Sequence, residues 1–153
     1  MATDEPMDTP MGIDPVASRR IILGILVLIG GAALTYNLLK RPAGPPPADI
    51  AGDALLVEGR AVYLARCVSC HGESGRGDGP IAKGLAGPVG DLTASAWKHG
   101  DRPEQVVAVV SQGVGDKGMP GWATVLSPRQ LRATSAYVYH LARRPVPAAL
   151  RTR

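Results

Sequence analysis

The chain has 153 residues, with 17 basic and 13 acidic side chains and a formal net charge of +4. That length fits one domain, or a small domain joined to an anchor. Aromatic residues make up only 4% of the chain, with no phenylalanine. No basic stripe is interleaved with them, which excludes a nucleic-acid-binding surface.

Residues 1–18 are rich in Met, Asp, Pro and Thr and lack apolar periodicity, the composition of a disordered segment. Residues 21–39 then run without a charge, between Arg19-Arg20 and Lys40-Arg41. At about 1.5 Å per residue, a helix over this stretch reaches roughly 28 Å, close to the thickness of a bilayer's hydrocarbon core. A cleaved signal peptide would have a shorter apolar region ending in a small-residue site. This run ends Leu38-Leu39-Lys40-Arg41, without such a site. The reading is an uncleaved transmembrane anchor over 19–41. The basic residues at both ends leave its direction open by charge alone. A lipid anchor would need a cysteine just after the apolar run, whereas the only two cysteines are Cys67 and Cys70.

Residues 42–48, rich in proline, read as a semi-rigid spacer. A globular domain is expected over 49–144, followed by a basic tail over 145–153. The tail's arginines suit an anionic lipid or an acidic partner, or simply a solvated, frayed end. Three helices are predicted inside the domain. The first covers about 53–68, with Leu55, Leu56, Val62 and Tyr63 on its apolar face. Another starts near Asp101, with Pro103 in its first turn, and is stopped by Gly113. The last opens on Ser127-Pro128-Arg129-Gln130, which combines an N-cap, a proline at the first helical position and a capping-box glutamine. Pro145 is expected to end it. Glycine-rich loops separate the helices, and no convincing strand run exists.

Cys67-Val68-Ser69-Cys70-His71 closes the first helix. A CxxCH run is the attachment pattern of a c-type haem, in which the thiols bond the porphyrin and the histidine ligates the iron. A redox-active dithiol would call for a thioredoxin-like βαβ pattern, which is not visible here. A structural zinc site would call for a second Cys/His pair, whereas His99 and His140 are isolated. For the opposite face of the iron, three of the four methionines precede the apolar run, leaving Met119, 48 residues after His71. A thioether opposite histidine is the ligand set of electron-transfer haems. The alternatives are a loop methionine filling an apolar gap, or His99 or His140 as ligand.

Taken together, these residues closely resemble the class I c-type cytochromes. The matching positions are Gly59, Tyr63, Cys67-Val68-Ser69-Cys70-His71-Gly72, Gly75-Arg76-Gly77-Asp78-Gly79-Pro80, Pro88-Val89-Gly90-Asp91-Leu92-Thr93, Gly113, Met119-Pro120-Gly121-Trp122 and Ala136-Tyr137-Val138. The resemblance covers roughly 53–142. It implies an all-α cytochrome c fold, three to five helices around one covalent haem c, preceded here by the transmembrane helix. It implies that the first and last helices cross, bringing Gly59 and Tyr63 against Tyr137. A proline carbonyl, from Pro88 or else Pro80, would accept the hydrogen bond of the ligating histidine. Trp97 would donate its N–H to a haem propionate or serve as packing.

The resemblance further implies haem attachment outside the cytoplasm. It places the chain in a bacterial inner membrane, with residues 1–18 cytoplasmic and the haem domain on the periplasmic face. The expected role is electron transfer, not catalysis. The chain would be a tethered carrier between partners such as a quinol-oxidising complex and a terminal oxidase. The alternative is a fixed monohaem subunit of a larger complex, and the remoter one is a haem enzyme or gas sensor with an open iron site.

Overall fold

The computed structural model describes residues 15–39, 44–85 and 87–152, with side chains of the first helix described over 19–32. Most of the N-terminal segment expected to be disordered, and the first residues of the spacer, lie outside the described residues. The chain divides into two compact units, Met1–Pro42 and Ala43–Arg153.

The first unit contains α1, Pro15–Leu39, which takes in the whole uncharged run. Its described apolar side chains are exposed on all sides, from Ile25 at 50% to Leu28 at 73%. Among the described residues, no helix is long and apolar enough to cross a membrane. The described side chains of α1 cover fewer than the roughly 20 residues a span requires. The anchor expected over 19–41 is therefore not established by the structure.

The second unit is helical, as predicted. It comprises α2 (Ala54–Arg66), α3 (Val68–His71), α4 (Pro103–Gln112) and α5 (Pro128–Leu141), with single 3₁₀ turns at Ala82–Gly84, Gly115–Lys117 and Ala148–Leu150. Asp53 caps α2, its carboxylate accepting from the backbone N–H groups of Leu55 and Leu56 at 3.1 and 3.2 Å. In α5 the predicted capping box forms: Gln130 N–H donates to Ser127 Oγ, and Ser127 N–H donates to Gln130 Oε1. α4 stops at Gly113, whose φ of 76° suits a residue without Cβ.

α2 and α5 make the principal crossing of the unit. Gly59 permits it, because a Cβ there would lie 2.0 Å from the carbonyl oxygen of Ala133. One turn on, the rings of Tyr63 and Tyr137 meet at 5.4 Å. This is the helix contact implied by the resemblance. The core around it joins Ile50, Leu56, Tyr63, Val106, Ala136, Tyr137, Val138, Tyr139 and Leu150, and a second cluster holds Val62, Val110, Leu126 and Leu131.

Two expectations about the C-terminus are corrected. α5 ends at Leu141, before Pro145, because Arg143 adopts a left-handed conformation at φ 55°. The segment expected as a basic tail is folded onto the domain: Leu150 is 2% exposed, and Arg151 pairs with Asp53 at 2.7 Å. Apolar Val146 and Leu150, unremarkable by composition, anchor it there.

Candidate cofactor site

α2 delivers Tyr63 to the core and Cys67 to its own C-terminus. There the chain turns into α3, with Cys70 N–H and His71 N–H both donating to the Cys67 carbonyl, at 3.2 and 2.9 Å. This short turn sets Cys67, Cys70 and His71 side by side. The Tyr63 hydroxyl, buried, donates to the Gly72 carbonyl at 2.7 Å and so ties the residue after His71 back to α2. The sequence pointed to Tyr63 as part of the helix's apolar face and as a partner of Tyr137, not to this hydrogen bond.

Both thiols are free and half-buried. Burial, with a smaller contribution from Cys70, pushes the Cys67 thiol up to about 11. A redox-active dithiol needs the opposite, a thiol shifted towards thiolate. Among the described residues, no three His, Cys, Asp or Glu side chains converge on a point that could hold a metal ion. The Cys67 thiol is unlike the activated thiol of a dithiol centre.

His71 Nδ1 lies 3.2 Å from the carbonyl oxygen of Gly90. A carbonyl has no proton to give, so this pairing puts the ring proton on Nδ1 and leaves the Nε2 lone pair available as a donor to iron. Burial holds the imidazole below its usual range and so favours the neutral ring that ligation requires, against a smaller opposing effect of the Gly90 bond. The acceptor is Gly90, not Pro88 or Pro80. Backbone register decides it. Leu92 N–H donates to the Gly75 carbonyl at 2.7 Å, and Gly77, at φ 77°, lies so close to Val89 that a Cβ would come within 2.5 Å of its carbonyl oxygen. The loop after the motif is thereby fastened to 89–92, and Gly90 is the residue presented to the ring.

Trp97 takes the second of its two expected parts, packing. Its indole N–H donates to the Leu92 carbonyl at 2.9 Å, its ring meets Tyr139 edge-on at 5.2 Å, and the Arg144 guanidinium rests 4.3 Å from the ring centre. The N–H is thus engaged within the protein.

Met119 sits half-buried in the loop after α4. It forms a two-way backbone bridge with Val114: Val114 N–H donates to its carbonyl at 2.9 Å, and Met119 N–H donates to that of Val114 at 3.2 Å. Gly113 and Gly121 let this loop lie directly on neighbouring backbone. Pro120 follows in the exposed part of the loop. Met119 is thus held on a loop, whereas His71 sits at the end of α3. His140 is turned aside, stacked on Tyr137 at 5.5 Å with Nε2 3.5 Å from Asp49. His99 is exposed in a turn.

The residues present fit a covalently held haem. They offer two unlinked thiols one helical turn apart and an adjoining imidazole whose Nδ1 is already bonded, which leaves Nε2 outward, together with a half-buried thioether in the loop after α4.

Comparison with known proteins gives concordant matches. The family described as "Cytochrome C oxidase, cbb3-type, subunit III" matches residues 54–138. The chain is 31% identical over 84 residues to the cbb3-type cytochrome c oxidase subunit FixP of Azorhizobium caulinodans, covering 55% of this chain and 26% of that protein. It is 30% identical over 115 residues to the FixP subunit of Bradyrhizobium diazoefficiens, covering 75% of this chain and 37% of that one. It therefore spans well under half the length of these two relatives. Among solved structures, a chain of the Kuenenia stuttgartiensis reducing HAO-like protein complex superposes with a TM-score of 0.54 at 28% identity, over 67% of this chain and 47% of that one.

Proposed function

Because the chain belongs to the family of cbb3-type cytochrome c oxidase subunit III, whose members are c-type cytochromes, we propose that its second unit carries single electrons on one covalent haem c. Cys67 and Cys70 would form the thioether links of that one haem. His71 Nε2 and the Met119 sulfur would be the axial ligands. When bound, the haem supplies a one-electron ferric/ferrous couple.

The observation that carries the reading is the His71–Gly90 pair beside two unlinked thiols. Gly90 fixes the tautomer and the ring plane, a supporting contact of the kind that ligating histidines require. The Val114–Met119 bridge pins the second ligand's backbone. Gly113 lets the loop lie directly on neighbouring backbone, and the ring of Pro120 fixes one backbone angle just after Met119. With both axial positions filled, no site remains for substrate, so the chain itself is an electron-transfer component.

The relatives are named as oxidase subunits. We extend that to a role as a fixed electron-input subunit of a terminal oxidase complex, in preference to a free shuttle, with electrons arriving from a quinol-oxidising chain. We also keep the anchor as part of this reading. The uncharged run 21–39 lies in one helix whose described apolar side chains are exposed on every side, a surface that requires lipid or protein cover. A single pass of the bacterial inner membrane then puts the haem domain on the periplasmic face.

The test is expression with the haem-attachment machinery, followed by acid denaturation. Haem should stay with the polypeptide in wild type and be lost from the Cys67→Ala/Cys70→Ala double variant. Purification of the tagged chain in mild detergent should bring down oxidase subunits in stoichiometric amount; recovery as a free monomer would sink the subunit role.

A further inference from the structure

Arg144 is 22% exposed and lies just past the end of α5. The left-handed turn at Arg143 doubles the chain back, so that Arg144 N–H donates to the Tyr139 carbonyl at 2.9 Å. L-residues rarely adopt that conformation, and here it aims the Arg144 side chain at the loop 90–102. The guanidinium lies over the Trp97 ring and donates to the carbonyls of Ser95 and Ala94, with the Asp101 carboxylate 3.5 Å away. From the same helix, the Tyr139 hydroxyl donates to the Asp101 carbonyl. Trp97 in turn donates to Leu92, and Leu92 N–H donates to Gly75. Gly90, two residues before Leu92, holds the His71 ring.

The chain of contacts is continuous from the end of α5 to the imidazole. A guanidinium fork stacked on an indole is a rigid pairing that lysine or methionine does not reproduce. We propose that Trp97 and Arg144 are positioning residues for the iron's histidine. By clamping the 90–102 loop, they hold the Gly90 carbonyl on His71 Nδ1 and so tune how strongly the imidazole donates to the metal. The proposal rests on the reading of His71 as an axial ligand. A hydrogen bond accepted from Nδ1–H makes the ring a stronger donor, which favours ferric iron. Loosening the clamp weakens that donation and favours the ferrous state.

The experiment is a redox titration of the full-length holoprotein in detergent, for wild type, Trp97→Phe, Arg144→Met, Arg144→Lys and, as a control, Arg151→Met. Trp97→Phe keeps a ring but removes the N–H bonded to Leu92. Arg144→Met keeps an apolar stem over the indole without the fork. Both should raise the ferrous-to-ferric ratio at fixed ambient potential by about three- to tenfold, tenfold being about 59 mV for one electron. Arg144→Lys should give a smaller shift of the same sign. Arg151→Met breaks the ion pair with Asp53 and should lower the melting temperature without moving the potential. Should Arg144→Met fail to accumulate, Trp97→Phe and Arg144→Lys carry the same prediction. An unchanged potential in both clamp variants, with haem attached and histidine-ligated, overturns the proposal, as does an equal shift in Arg151→Met. Failure of the ligand reading is separable: it would appear in wild type as haem without histidine ligation, or as no covalent haem.

Discussion

Tyr63 is the residue on which the motif's local geometry most depends. Its hydroxyl bonds the Gly72 carbonyl at 2.7 Å in a buried setting, so Tyr63→Phe removes one of that acceptor's two donors and leaves only Gly75 N–H at 3.2 Å. The expected cost is about 1 kcal/mol, that of one hydrogen bond, measured by denaturant unfolding, with the haem retained. Asp53 offers a test by pH. Its carboxyl is held below the usual carboxylate value, chiefly by the hydrogen bond from Arg151 and then by the backbone N–H of Leu56, against an opposing effect of burial. Because the folded value is depressed, the stabilisation is fully present above the unfolded value of 3.8 and is lost as pH falls through the folded one. Asparagine preserves the helix cap but not the charge. Asp53→Asn should therefore be less stable than wild type at pH 7, with the gap closing in acid below the usual carboxylate range. A gap that persists there would contradict the assignment. At this scale the sequence was informative where chemistry is local: the two thiols and His71 are adjacent in the chain. Gly90 was not legible, because the carbonyl that meets His71 is selected by a backbone register between two loops.

Helix starts were legible because they are written in a few consecutive residues. Ser127-Pro128-Arg129-Gln130 specifies the beginning of α5, and Pro103 that of α4. Helix ends were less so. Pro145 is a sound stop signal, yet α5 ends earlier, at Leu141, and contacts of Arg144 with a distant loop compensate for the unfavourable backbone conformation of Arg143. The crossing of α2 and α5 is the most sensitive joint. A methyl group at Gly59 would overlap the Ala133 backbone and approach Tyr137 Cβ to 2.9 Å. Backbone does not yield as a flexible side chain does. Gly59→Ala should cost about 3 kcal/mol or more, seen as a large fall in melting temperature or failure to accumulate holoprotein. A change under about 0.5 kcal/mol would mean that the two helices pass further apart than described.

Over the whole molecule, the all-helical architecture was legible from periodicity and caps, whereas the extent of the domain was not. Residues 145–152 carry two prolines, one arginine and a single leucine, a composition with no folding signal of its own. What fixes them is long-range: Leu150 enters the same core as Ile50, and Arg151 reaches Asp53. Leu150→Ala should cost about 2–4 kcal/mol, and deletion after Arg144 at least as much, while leaving His71 ligation intact. The domain's small aromatic content points the same way, since a small core depends on every buried group and on the haem that would complete it. The most direct test of that central claim is the near-red absorption of the oxidised, purified holoprotein. With His71 and Met119 on the iron, wild type should show the weak band of a sulfur–iron(III) bond, and Met119→Ala should lose it. Absence of the band in wild type, or ready binding of carbon monoxide by the reduced protein, would contradict the account.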